Sequence, residues 1–437
     1  MIKNKIVKNA SWIVACRIVQ SIFSLIVTMI TARYLGPSNY GIISYAASIV
    51  AFFVPIMQLG LHNVLVQEIV DNPEKEGIVL GTSIILSLLS AVASIVCIIV
   101  FVLLVNANET ETIIVCGLYS ILLIFQALEL IQYWFQAKYL SKYASIVSLI
   151  AYTIVSFYKI VLLISGSSVY WFAVSNAIDF MLIAFALLYF YKKLGGAKLK
   201  FSKEVARLLF DKSKHYIISG LMIVILSQTD RVMIKIMIDN KAVGYYSAAV
   251  SIACMTNFVF NAIIDSMRPS IFEKKKISNE EYLNSLKLLY SIIIYCALLQ
   301  SLVVTIFSNI IVNILYGSAY LESVSALQII VWYTAFSYIG AVRNIWILAE
   351  NNQKYLWIIN MSGAILNILL NLVFIPTMGI NGASLASLLT QIFTNVILGF
   401  IIKPIRPNNN IMLQSINPKY IINIFKKIKN KSTREIK

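Results

Sequence analysis

Arg17, Lys159, Asp179, Asp230, Arg231 and Arg343 stand inside apolar stretches long enough to cross a bilayer. A charge near the centre of such a span costs roughly 2.5 kcal/mol or more, so it normally lines a wet cavity or pairs with another group. Most of these charges are cations. Arg offers a planar fork of donors and Lys a compact point charge, and both suit a pyrophosphate. Arg17, Lys159, Arg231 and Arg343 are therefore the candidate substrate-binding residues of a cationic cavity. Glu129, Asp179 and Asp230 are the acidic candidates, for pairing or for coupling to a proton or sodium ion. Glu129 has two readings, as a clamp on Arg17 or as a cavity residue. Asp230 and Arg231 are adjacent and point about 100° apart on a helix, so each needs its own partner. Lys159 and Lys235 have stems long enough to snorkel outward.

No constellation points to catalysis or a metal. The cysteines (Cys16, Cys97, Cys116, Cys254 and Cys296) are scattered through apolar runs without ligand spacing and read as packing residues. No paired carboxylates, D-x-D or H-x-x-x-x-D pattern stands out.

The elements that must position these charges are membrane helices. Only 13% of the 437 residues are charged and 59% are hydrophobic, against about 25% charged in a soluble domain. About twelve segments between residues 11 and 403 reach the ~20 residues that span a bilayer. Continuous apolar runs of that length satisfy their backbone as helices. The expected fold is an all-α integral membrane protein with two six-helix lobes.

A formal charge of +17 would ordinarily raise nucleic acid as a partner. Here the basic residues collect between spans and form no single face, which excludes that class. Their distribution puts both termini in the cytoplasm. The acidic connection DNPEKEG, from Asp71, runs against this assignment. The longest basic connection divides the chain into lobes at 1–191 and 214–403, with a cytoplasmic or interfacial linker at 192–213. A basic tail follows at 404–437. Val205, Leu208 and Leu209 in the linker, and Ile421, Ile424, Phe425 and Ile428 in the tail, form apolar stripes among charges. Both are expected to lie against anionic lipid headgroups.

The halves repeat one another. GIISYAASI from Gly41 matches GYYSAAVSI from Gly244, and WFQAKYLSKY from Trp134 matches WILAENNQKY from Trp346. The order and nearly equal offsets indicate a duplication, and six helices per half make it a parallel repeat.

ARYLGPSNYGIISYAASI from Ala32, WFQAKYLSKY from Trp134 and NILLNLVFIPTMGINGASLAS from Asn367 carry a family resemblance. They resemble the helix 1–2 junction, the end of helix 4 and the helix 11–12 hairpin of Wzx-type polysaccharide flippases, in the multidrug/oligosaccharidyl-lipid/polysaccharide exporter superfamily. The hairpin has its own physical logic. Pro376 ends a helix, Gly379 and Asn381-Gly382 supply the turn, and Ala383, Ser384, Ala386 and Ser387 offer a small face for close packing.

The resemblance implies a non-enzymatic transporter in the bacterial cytoplasmic membrane. Its cargo would be an undecaprenyl-pyrophosphate-linked oligosaccharide, moved from the cytoplasmic to the outer leaflet by alternating access, for surface polysaccharide biosynthesis. It implies no cofactor beyond a coupling proton or sodium ion, and partnership with polysaccharide-assembly proteins. Two alternatives remain open: a cation-coupled multidrug exporter of the same fold, and a membrane-embedded polysaccharide polymerase or ligase. The short outer connections disfavour the enzyme.

Overall fold

A computed structural model describes residues 2–417, and for residues 2–15, 17 and 18 the backbone alone. The Arg17 side chain and the tail stripe at residues 421–428 lie outside the described residues. Eleven helical stretches are long and apolar enough to cross a bilayer. The first contains two helices that meet at Gly36, whose φ of 71° is a left-handed conformation that side chains resist. Separating them restores the expected twelve. We label them α1 (2–35), α2 (37–57), α3 (Pro73–Val105), α4 (Thr110–Ala137), α5 (Ser141–Ile164) and α6 (Val169–Lys193). The others are α7 (Lys203–Met237), α8 (Asn240–Ile277), α9 (Asn279–Tyr316), α10 (Ser323–Ala349), α11 (Lys354–Met378) and α12 (Ile380–Ile401). Among the described residues there is no strand.

α3 shows why these helices belong in lipid. Its buried face carries Ser83, Ser87, Ala91 and Ser94, while Leu89, Val92, Val96, Val100 and Leu104 face outward, Leu104 at 79% exposure. In water that pattern would be inverted. Lipid accepts the large apolar face, and the small residues let neighbouring helices approach closely.

The chain folds into two units, Met1–Ser247 and Ala248–Lys437. The first has its core around Leu65, Leu80, Leu130, Trp134, Phe135 and Tyr191. The second is built around Tyr282, Leu286, Tyr290, Val342, Trp346 and Ile405. In the first unit α7 lies along α2, with Gly220 against the Pro55 ring and Ser48 Oγ 3.0 Å from Gln228 Oε1. The two repeated glycines also meet there. A Cβ on Gly41 would stand 1.7 Å from the Asn240 carbonyl oxygen, and one on Gly244 would stand 1.9 Å from that of Pro37. Any larger residue would force α2 and α8 apart.

The second repeated segment ends both helices alike. Tyr139 and Asn351 share a left-handed conformation, with φ of 57° and 55°. Leu140 N donates to the Phe135 carbonyl at 2.7 Å, and Asn352 N donates to that of Ile347 at 2.9 Å. Each stop carries an ion pair of opposite polarity, Lys138 with Glu76 at 2.7 Å and Lys275 with Glu350 at 2.5 Å. The same structural stop is built twice.

The linker differs from expectation. Ser202 caps α7 by accepting from Val205 N, and no helix breaker follows before Gly220, so the helix runs unbroken from Lys203. Val205, Leu208 and Leu209 form its first turns and not a separate interfacial helix. Leu209 is buried in the first unit's core and Leu208 is exposed. The acidic connection from Asp71, and Glu68 just before it, also find partners. Glu76 pairs with Lys138, and the buried Glu68 pairs with Lys212. That connection therefore shares one end of the bundle with the basic stretches at 138–142 and 203–214.

Candidate functional site

Gln20, Ser24, Thr28 and Thr31 recur along α1 at helical spacing and form one polar face. In the first unit this face walls two cavities. The wider holds about 660 Å³ and is lined by Gln20 together with Glu129, Gln132 and Gln136 of α4, Ser145 and Ser148 of α5, and Asp179 of α6. The narrower holds about 270 Å³ and is lined by Ser24, Thr28 and Thr31, with Tyr40, Tyr119, Tyr152, Lys159, Phe172 and Asn176. α6 runs past both, Asn176 on the narrow cavity and Asp179 one turn further on the wide one.

The two cavities differ in charge. Glu129 stands on a short 3₁₀ turn within α4, which presents it to the same space as Asp179. Two carboxyls sharing a cavity with glutamines and serines can hold a proton or a hard cation. Lys159 Nζ donates to Asn176 Oδ1 at 3.5 Å, a long bond, and feels the charge of Asp179. An ammonium among hydroxyls and aromatic rings suits an anionic or hydroxyl-rich ligand. The structure thus brings Lys159, Asp179 and Glu129 into adjoining cavities.

The charges of α7 are placed differently. Asp230 accepts a hydrogen bond from Tyr246, and Arg231 Nε donates to Ser247 Oγ at 3.1 Å. The separate partners demanded by adjacent charges are consecutive residues of α8. Arg231 Nη1 also donates to Gln228 Oε1 at 2.9 Å, which links it to Ser48. Lys235 does not snorkel. It is buried and reaches both oxygens of Glu109, at 2.6 and 2.7 Å. Thr112 Oγ1 and Asn240 Nδ2 donate to the same carboxylate at 2.7 and 3.4 Å. Partial burial works to raise the Glu109 pKa, but the hydrogen bonds and charge of Lys235, with Thr112 and Asn240, hold it below the usual carboxylate value. Glu109 opens α4 and Lys138 follows its end, so these two ion pairs lie at opposite ends of that helix.

In the second unit Arg343 is 4% exposed. Its Nη1 donates to the Thr394 carbonyl at 2.5 Å and its Nη2 to Asn344 Oδ1 at 3.2 Å. Thr394 lies in a π-helical turn of α12, Phe393–Ile397. Buried Asn367 and Asn371 hydrogen-bond each other at 3.1 Å on α11, facing the small residues of α12. Trp134 stacks edge-on to Tyr191 at 4.9 Å within the core of the first unit. No group of three or more His, Cys, Asp or Glu side chains able to hold a metal occurs among the described residues.

Inspection of isolated charges misses Glu109 and the neutral polar wall. Glu109 sits in the short connection NANETET, outside the apolar spans where stranded charges are conspicuous. Gln20, Ser24, Thr28 and Thr31 carry no charge, yet their helical periodicity inside an apolar span was a readable signal.

Comparison with known proteins adds three findings. Residues 6–275 match the model of a family described as polysaccharide biosynthesis protein. An uncharacterized membrane protein of Methanocaldococcus jannaschii is 27% identical over 240 residues, 50% of this chain and 46% of its own length. The chain thus spans about half of that curated relative. Among solved structures, an inward-facing multidrug resistance MATE family transporter of the MOP superfamily superposes with a TM-score of 0.67 at 12% identity, over 90% of this chain and 96% of that one. Lipid II flippase MurJ in an inward closed conformation gives 0.67 at 17% identity, over 94% and 92%. These two likenesses define the fold.

Proposed function

As the chain belongs to the polysaccharide biosynthesis protein family, we propose that it is a flippase for an undecaprenyl-pyrophosphate-linked oligosaccharide. The cargo crosses from the cytoplasmic to the outer leaflet of a bacterial membrane by alternating access. The observation that carries this reading is the hydrogen-bonding wall of α1, repeated turn after turn inside a membrane helix and facing cavities. A polar face at that depth is costly unless something polar passes it. Sugar hydroxyls and a pyrophosphate fit that wall, and the fold shared with lipid II flippase MurJ supports a lipid-linked cargo.

Arg17 precedes Gln20 by three residues and continues the stripe by spacing. We assign the pyrophosphate-binding role to Arg17 and Arg231, and Lys159 to the part of the glycan that enters the narrow cavity. The described partners of Arg231 are neutral, which leaves its charge for the cargo. Arg343 is assigned to holding α10 against α12. Both termini are placed in the cytoplasm, an assignment supported by the pairing of Glu76 with Lys138 after α4 and of Glu68 with Lys212 in the first turns of α7. The basic tail is proposed to meet anionic headgroups and polysaccharide-assembly proteins.

The test is surface polysaccharide in a flippase-deficient strain, normalised to membrane-inserted protein. A charge-assisted contact contributes roughly 1.5–3 kcal/mol, so Arg17→Ala with Arg231→Ala should lose at least tenfold of export while the lysine variants keep part of it. Full export by the double alanine variant would remove the cationic reading.

One observation favours a second reading. Glu129 and Asp179 share the wide cavity, as a cation-coupled drug exporter would require. In the flippase reading the same pair carries the coupling proton or sodium ion. Asp179→Asn is expected to abolish the response of export to an imposed ion gradient without loss of protein. Drug resistance conferred by the wild type, with no export of polysaccharide, would establish the rival.

A further inference from the structure

The narrow cavity has features that a pyrophosphate alone does not need. Its cation, Lys159, has one long hydrogen bond, to Asn176 at 3.5 Å. Its walls carry Tyr40, Tyr119, Tyr152 and Phe172, aromatic faces of the kind on which the apolar side of a sugar ring rests. Thr31 is only 9% exposed, lines the cavity, and its hydroxyl has no hydrogen-bond partner. A buried unpaired hydroxyl costs free energy unless a ligand completes it. The space, about 270 Å³, is well under half the about 660 Å³ of the wide cavity, which makes it the tighter of the two sites along the polar face.

We propose that this cavity is a subsite for one carboxylate-bearing sugar of the cargo. Lys159 meets the sugar carboxylate, Thr31 and Asn176 meet ring hydroxyls, and the aromatic side chains flank the ring. This rests on the flippase reading and adds the chemistry of the glycan: a unit that includes a uronic-type residue. Asp179, one turn along α6 from Asn176, is the nearby acidic charge that accompanies Lys159 when no sugar is bound. A phosphate would offer the same negative charge to Lys159, but it has no ring to fill the aromatic walls.

The test uses the purified full-length protein in nanodiscs, with methyl β-glucuronide, methyl β-glucoside and inorganic pyrophosphate as probes and saturation-transfer NMR as the readout. The glucuronide should bind about tenfold more tightly than the glucoside. Lys159→Gln should remove that preference, Lys159→Arg should retain it, and Tyr119→Ala should weaken both sugars alike. Pyrophosphate binding should be the same in wild type and Lys159→Gln. Equal binding of the two glycosides by wild type, or an unchanged preference in Lys159→Gln, would overturn the proposal. Loss of pyrophosphate binding in Lys159→Gln would also overturn it, by assigning the cavity to phosphate. Export in the flippase-deficient strain separates the two readings. A Lys159-dependent glucuronide preference without export leaves the subsite and removes the flippase, and export without the preference does the reverse.

Discussion

Reversing the charge of Glu109 will stall export, and reversing Lys235 in the same protein will restore much of it. Glu109→Lys sets two ammonium groups face to face where the Lys235 side chain is only 4% exposed and cannot regain its water. A fully buried pair loses about 3–5 kcal/mol when one partner is removed. Glu109 keeps 40% of its side-chain exposure, so solvent screening brings the expected cost to about 1–3 kcal/mol. The Glu109→Lys/Lys235→Glu protein regains attraction with the sign exchanged.

The pH dependence follows from the same contacts. The Glu109 carboxyl titrates below its usual value in the folded protein. Its contribution is therefore complete above the ordinary glutamate range and is lost only as pH falls through the lowered value. The pair ties the start of α4 to α7, beside the Gly41 and Gly244 crossing. The proposed alternating-access cycle is expected to part these elements. A disulfide between cysteines placed at 109 and 235 is expected to block export until it is reduced. Undiminished export with the cross-link complete would show that they never separate.

Arg343→Ala will deplete the protein from the membrane before any transport defect can be scored. The π-helical turn Phe393–Ile397 shifts the hydrogen-bond register and leaves carbonyls outside the helical ladder. Arg343 takes the Thr394 carbonyl, and Asn409 Nδ2 donates to that of Val396 at 2.8 Å. Alanine at 343 strands the first of these and opens a cavity, together about 3 kcal/mol or more. Lysine can reach one carbonyl but cannot also hold Asn344, so Arg343→Lys should fall between the two. Thermal unfolding of the detergent-purified protein measures the order wild type, lysine, alanine. An alanine variant with unchanged stability and abundance that still fails to export would instead place Arg343 on the cargo path.

Much of this protein was legible in its sequence because a bilayer enforces simple local rules. A span must be about 20 residues long and must satisfy its own backbone, so the helices were visible, and the two that meet at Gly36 were already separated by ARYLGPSN. The duplication was visible because each repeated segment encodes a local event. The helix stops at Tyr139 and Asn351 share their backbone geometry even though their ion pairs have opposite polarity. The linker's amphipathic pattern is real for a related reason, but nothing local marks where it ends and the span of α7 begins, so only the fold shows one continuous helix from Lys203.

Tertiary structure alone decided what each charge does. Lys159, Lys235 and Arg343 look alike in sequence, as cations in apolar runs. One lines a cavity, one is locked to a carboxylate more than a hundred residues earlier in the chain, and one caps a distorted turn of another helix. A charge in lipid must find a partner, and the sequence states that requirement. The partner is supplied by whichever helix faces it, through rotations and close approaches set by small residues such as Gly41 and Gly244. Those contacts are non-local, so the need was written in the sequence and its fulfilment only in the fold.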